Sequence, residues 1–224
     1  MEFFLYQLFA HLTADFILQN DIQCEEKREK RYCSRFQYIH CAIVFFLSWI
    51  VSFDYGFWKY SLFICLSHLI IDVYKSFRDN DIRSFVIDQV LHILILVVVA
   101  IAWCTNNVFH PLIESNTIVW ALAILVCSKP ANILIKLILQ RCSVNFPKEK
   151  DAFRAGALIG MIERWLIILF VFKEQYEAIG LLIAAKSIIR FSDKETDKTE
   201  YVLAGTLLSI LIGVISGVFI RYYP

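Results

Sequence analysis

The chain has 224 residues, a net charge of +1, 58% hydrophobic residues and a mean hydropathy of +0.60. That apolar fraction exceeds the ~45–50% of soluble domains, which excludes an ordinary soluble globule and predicts a polytopic helical membrane protein. The near-neutral balance offers no basic surplus for a nucleic-acid partner, so none is expected.

Apolar runs between charged breaks predict eight helices, at roughly 2–19, 36–53, 57–75, 85–104, 117–140, 156–172, 175–191 and 200–220. Runs of ~20 residues have the length of membrane helices rather than barrel strands. Several are short, and Lys186 and Arg190 interrupt the seventh, so seven is the competing count. Met1-Glu2-Phe3-Phe4 lacks the basic start and small-residue cleavage site of a signal peptide, so the first run is expected to stay as a span.

Charge sets the orientation. Lys27, Arg28, Lys30, Arg31 and Arg35 lie in the first connection, and Lys75, Arg78 and Arg83 in the third. Arg141, Lys148, Lys150 and Arg154 follow in the fifth, and Arg190, Lys194 and Lys198 in the seventh, whereas the intervening connections hold only Lys59 and Lys173. The positive-inside rule then places the odd connections in the cytoplasm and both termini outside, in a multi-pass inner (plasma) membrane protein. The outward loop TNNVFHPLIESN (105–116) separates two four-helix halves, 1–104 and 117–224.

The first half carries ionisable residues where lipid-facing segments should have none. His11, Asp15 and Gln19 follow at four-residue intervals, within ~80° on one helical face. His40 opens the second helix, His68 and Asp72 close the third, and Asp88, Gln89 and His92 open the fourth. A charge at mid-membrane costs about 2.5–3.5 kcal/mol on insertion scales, so the set calls for a partner or a purpose. Given the alternating helix directions, Asp15, His40, Asp72 and Asp88 fall about one turn inside the cytoplasmic boundary, and His11, His68 and His92 about one turn deeper.

Four helices around one axis would bring all seven groups to one point. Imidazole and carboxylate together suit a divalent Zn, Mn, Fe or Ni. Seven ligands exceed one tetrahedral ion, so either two ions bind or some carboxylates orient imidazoles. Gln19, Gln89 and Lys75 are candidates to hold the ligands in place, with Asp15, Asp72 or Asp88 as general base. The plainer alternative is a hydrogen-bonded network that locks the bundle.

In the second half, Ser128-Lys129-Pro130 predicts a break in the fifth helix. Lys129, Asn132 and Lys136 share a face within ~60°. With Arg164, Lys186 and Arg190 they form a candidate pocket for an anionic group, Glu163 being the expected internal partner of Lys129 or Lys136. Arg190 is better read as reaching lipid headgroups. Gly205, Ser209, Gly213 and Gly217 form a small-residue stripe for close packing, within the chain or across a homo-oligomer, as do Gly156 and Gly160. FSDKETDKT (191–199) reads as a solvated loop. The seven cysteines include no C-x-x-C pair; Cys24 and Cys33 share a charged loop, where a disulfide or metal pairing is the minor reading.

HLTADFILQ, the His opening the second helix, HLIIDVYK and IDQVLH together resemble the bacterial and phage-borne membrane family known as domain of unknown function 3307. IERWL, AAKSIIRF and EYVLAGTLLS look like longer members of it. The resemblance implies a polytopic helical membrane protein and singles out His11, Asp15, Gln19, His40, His68, Asp72, Lys75, Asp88, Gln89 and His92. It implies no reaction. A looser similarity links the chain to membrane-bound metal-dependent hydrolases.

Three functions fit these residues. The first is a metallohydrolase acting near the cytoplasmic face on a phosphate-bearing or lipid substrate held by Lys129, Lys136, Arg164 or Lys186. The second is a metal-ion or proton carrier or channel. The third is a ligand sensor that changes its oligomeric state. The outer halves of helices one to four are mostly apolar, which favours a dead-end pocket over a conduit.

Overall fold

A computed structural model describes residues 2–142, 150–190 and 196–223, with the backbone alone at 150–154, 189–190 and 196–202. Every regular element among the described residues is helical: α1 (Glu2–Leu12), α2 (Asp21–Lys30), α3 (Arg35–Val51), α4 (Trp58–Ser76), α5 (Ile82–Cys104), α6 (Ser115–Val126), α7 (Lys129–Arg141), α8 (Lys150–Phe172), α9 (Tyr176–Arg190) and α10 (Thr196–Tyr222). Short π and 3-10 turns join some of them. The chain divides into two compact units, Met1–Leu122 and Ala123–Pro224, with the boundary inside α6.

Among the described residues, five segments are long and apolar enough to cross a bilayer, Tyr55–Ser76, Ile82–Cys104, Ser115–Arg141, Ala155–Phe172 and Leu203–Tyr222, and a sixth if the bent pair Asp21–Cys33 and Arg35–Val51 is one span. The five coincide with five of the eight expected spans. The other three fall short of the ~20 residues a bilayer core asks for. α1 has 11 residues before a 5-residue π turn, α3 has 17 and α9 has 15. The first connection is itself a helix, α2, set at 104° to α3. A capping box starts it, with Asn20 accepting from the Gln23 N–H and Gln23 accepting from the Asn20 N–H. Arg31, at φ 52° in the left-handed region, turns the chain out of it.

In the first unit α1 packs on α3 and α5, and α4 packs on the same two, so the four close into a ring. At one end Phe3, Phe57, Trp103 and Phe109 pack edge to face or stacked, with ring centroids 4.9–6.3 Å apart. Buried Val44, Ile64, Leu96 and Val99 extend that core along the ring's interior. At the other end the interior turns polar. Outward, large apolar side chains such as Ile70, Val98 and Ile101 are exposed, as lipid contact requires.

In the second unit the small-residue stripe packs α10 against α8 within the chain. A Cβ on Gly213 would lie 3.1 Å from Ile167 Cγ2, and one on Gly217 would lie 2.8 Å from Val171 Cβ and 3.3 Å from the Ile168 Cα. Gly213 and Gly217 of the stripe are thus in close contact with α8 within the chain. Gly217→Ala should destabilise the protein by about 1–3 kcal/mol, read as a lower Tm in detergent. Gly156→Ala meets nothing within 4 Å and should leave Tm in place; equal shifts would refute this packing.

Candidate metal centre

The polar end of the first unit is built from the four ring helices. α1 gives way there to a π turn (Thr13–Ile17) in which the Leu18 N–H donates to the Thr13 carbonyl at 3.0 Å. Such widened turns recur at functional sites because they re-aim side chains. This one carries Asp15 and keeps its Oδ2 3.8 Å from His11 Nε2. Gln19 does not extend the same helical face, as its spacing predicts. The helical path ends before it, and it is buried beside the Asn20 cap of α2.

All seven predicted ligands meet. His40 Nε2 lies 3.1 Å from Asp15 Oδ1 and 2.9 Å from His68 Nε2. His68 Nε2 is 3.5 Å from Asp15 Oδ1 and 3.7 Å from Asp72 Oδ1. His92 Nε2 is 3.6 Å from Asp72 Oδ1 and 3.4 Å from Asp88 Oδ1. The His11 ring stands 4.9 Å from that of His92 and 5.6 Å from that of His68. The four imidazoles and Asp88 are only 2–4% exposed.

Most of these separations are too long for hydrogen bonds. His11 Nε2, His92 Nε2 and Asp88 Oδ1 are buried with no hydrogen-bond partner. A network whose purpose was to lock the bundle would close to ~2.7–3.2 Å, since a buried polar atom left unpaired costs about 1–3 kcal/mol. Ligand atoms ~2.0–2.1 Å from a shared tetrahedral ion lie ~3.3 Å from one another. Four of the six separations above, at 3.4–3.7 Å, are near that spacing, while His40 keeps hydrogen bonds to Asp15 and His68. Three groups of His and Asp side chains have ligand atoms within 4.8 Å of each other, as an ion requires: His11, His68 and His92; Asp15, His40 and His68; Asp72, Asp88 and His92.

Neighbouring side chains hold the outer oxygens of two carboxylates. Asp72 Oδ2 accepts from Lys27 Nζ at 2.5 Å and from Gln37 Nε2 at 3.2 Å. Asp88 Oδ2 accepts from Lys75 Nζ at 2.5 Å and from Gln89 Nε2 at 3.0 Å. Each acid therefore turns its Oδ1 inward. Lys75 and Gln89 thus both donate to Asp88. Lys27 and Gln37 are additions: Lys27 reaches in from α2 and is only 8% exposed. Gln37 stands one turn before His40 on the same face, a spacing that already pointed to it.

Toward the aromatic end the polar interior narrows to Gln7, which donates to the Ser48 carbonyl at 3.1 Å and accepts from Ser48 Oγ at 2.6 Å. Beyond it the interior is the apolar core. At the polar end a cavity of about 220 Å³ opens between α4 and α5, lined by Lys75, Arg78, Arg83, Asp79 and Asp81 and reaching Asp88. Asp81 accepts from the Ser84 N–H at 2.8 Å as the cap of α5, and that bond holds its carboxyl below the usual range.

In the second unit the expected anion-binding residues are engaged differently. Arg164, 1% exposed, donates from Nε to the Cys127 carbonyl at 2.7 Å, from Nη1 to Ser209 Oγ at 2.9 Å and from Nη2 to Asn132 Oδ1 at 2.6 Å. It thereby ties the backbone at the Pro130 break to α10. Glu163 pairs with Lys186, Oε2 to Nζ at 2.6 Å, where α9 packs on α8. Lys129 and Lys136 are half-buried and have interactions of their own. The side chain of Arg190 and the segment 191–195 lie outside the described residues. All seven cysteines are free thiols, Cys24 and Cys33 included.

No curated protein and no solved structure matches the chain. The family described as a protein of unknown function, DUF3307, matches residues 3–120, more than half of the sequence. That stretch contains every residue of the His and Asp cluster and stops before IERWL, AAKSIIRF and EYVLAGTLLS. The chain belongs to the DUF3307 family.

Proposed function

We propose that this protein is a membrane-embedded, metal-dependent hydrolase acting on a phosphate-bearing substrate at the polar end of its first unit. The observation that carries the reading is the set of His and Asp ligand atoms spaced 2.9–3.8 Å apart, three of them buried without hydrogen bonds. A bound divalent ion supplies Lewis acidity and brings the pKa of a coordinated water toward ~7. The cluster's imidazoles and carboxylates would hold that ion, and one of Asp15, Asp72 or Asp88 would take the proton of an attacking water as its oxygen bonds to phosphorus. The P–O ester bond breaks, and the leaving alkoxide takes up a proton to depart as the alcohol.

The cavity beside Asp88 gives such a substrate a way in, with Lys75, Arg78 and Arg83 as cations for its phosphate. The same end carries the basic connections, which the positive-inside rule assigns to the cytoplasm. On that orientation the short segments α1, α3 and α9 complete the eight crossings. The carrier reading has less support, because Phe3, Phe57, Trp103 and Phe109 fill the other end of the ring.

Detergent-purified protein should hold at least one equivalent of transition metal by elemental analysis. It should hydrolyse p-nitrophenyl phosphate or a phosphatidic-acid vesicle in a chelator-sensitive way that added metal restores. Below about a tenth of an equivalent of metal, the proposal fails. Stoichiometric metal without hydrolysis of any phosphate ester would leave a metal-binding protein and remove the enzyme.

A further inference from the structure

Granted the metal reading, we infer that the cluster holds two ions. Seven side chains converge, more than a tetrahedral or an octahedral ion takes. Two of the three groups they form share no member, and the third, His11 with His68 and His92, takes one imidazole from each. Asp15 Oδ1, His40 Nε2 and His68 Nε2 form a triangle with edges of 3.1, 2.9 and 3.5 Å. That is one face of a tetrahedron with ~3.3 Å edges, about an ion ~2.0–2.1 Å from each corner. Asp72, Asp88 and His92 form the second set, with His92 Nε2 at 3.6 and 3.4 Å from the two carboxylates.

The two sets meet where His68 lies against His92. His68 and His92 stack with ring centroids 4.1 Å apart and an interplanar angle of 26°, so each can direct its Nε2 to a separate ion. Paired ions in phosphate-cleaving sites lie ~3.5–4 Å apart. Asp72 Oδ1 is 3.7 Å from His68 Nε2 and 3.6 Å from His92 Nε2, the place of a bridging carboxylate. Lys27 and Gln37 occupy its other oxygen, so the bridge runs through Oδ1. His11 Nε2, buried and unpartnered, is left to complete either ion.

Charge connects this arrangement to the substrate class. Two dications with Lys27 and Lys75 outnumber the three carboxylates, and a phosphate dianion with a hydroxide neutralises the surplus.

Titration of metal-free protein with Mn²⁺ in detergent tests the count. Wild type should take up two equivalents and give the electron paramagnetic resonance signature of a coupled pair. His40→Ala and Asp88→Asn should each take up one, with the six-line signal of an isolated ion, and the double variant none. Asp88→Asn keeps the side chain's shape, and helix content by circular dichroism identifies folded samples. One equivalent in wild type overturns the inference, as does loss of all binding in either folded single variant. A single ion with chelator-sensitive hydrolysis would sink the pair and leave the hydrolase standing. No binding at all would remove both.

Discussion

His68→Ala should lower bound transition metal per folded protein by at least half and slow phosphate-ester hydrolysis by about 10²-fold or more. His68 is the most connected member of the centre. Its Nε2 lies within 3.7 Å of His40, Asp15 and Asp72, and its ring stacks on His92. Removing it deletes one corner of the tightest triangle and the wall between the two sets of ligands. A locking network predicts something else. There His68→Ala would leave a void and unpaired neighbours and lower Tm, while metal content stayed at the wild-type background. Elemental analysis and Tm on one sample separate the outcomes. Unchanged metal content with lowered Tm would make His68 structural.

The residues of this centre were readable because helix geometry is local. His11 with Asp15, His68 with Asp72, and Asp88 with His92 are each spaced by four, so periodicity puts each pair on one face. Alternating charge in the connections then set all three pairs at one end of the bundle. What was not readable came from interactions that spacing does not encode. The stretch 21–30 is so charged that it reads as a loop, although Asn20 and Gln23 already form a capping box. Its folding as α2 is what carries Lys27 to Asp72. The π turn at Thr13–Ile17 shortens the first helical path and takes Gln19 off its face. In the second unit, apolar runs and the Pro130 break were evident, but the partners of Arg164, Glu163 and Lys186 follow from which helices pack together. A cation in an apolar helix looks the same in sequence whether it awaits a ligand or satisfies the backbone.

That ambiguity makes Arg164→Leu the other large prediction. Pro130 has no N–H to donate and breaks the helical ladder between α6 and α7. The Cys127 carbonyl at the break accepts from Arg164 Nε at 2.7 Å, and Arg164 Nη2 reaches the Ser128 carbonyl at 3.4 Å, beside the Asn132 N–H that already donates to it. It also ties in Asn132 Oδ1 and Ser209 Oγ. Leucine would remove the desolvated charge, a gain, but take the donor from the Cys127 carbonyl and Asn132 Oδ1 at about 1–3 kcal/mol each. The acceptors dominate, and the expected net loss is about 3–5 kcal/mol, read as a lower midpoint of denaturation in mixed micelles. Arg164→Lys should recover only a small part, because a single ammonium cannot reach acceptors on the α6–α7 break and on α10 as a planar guanidinium does. A residue reserved for an anionic substrate would behave in the opposite way. Its loss would leave the midpoint unchanged or raised, since an uncompensated buried charge had gone, and would appear only as a higher KM. Wild-type stability in Arg164→Leu would therefore return Arg164 to substrate binding and leave the break between α6 and α7 without its physical support.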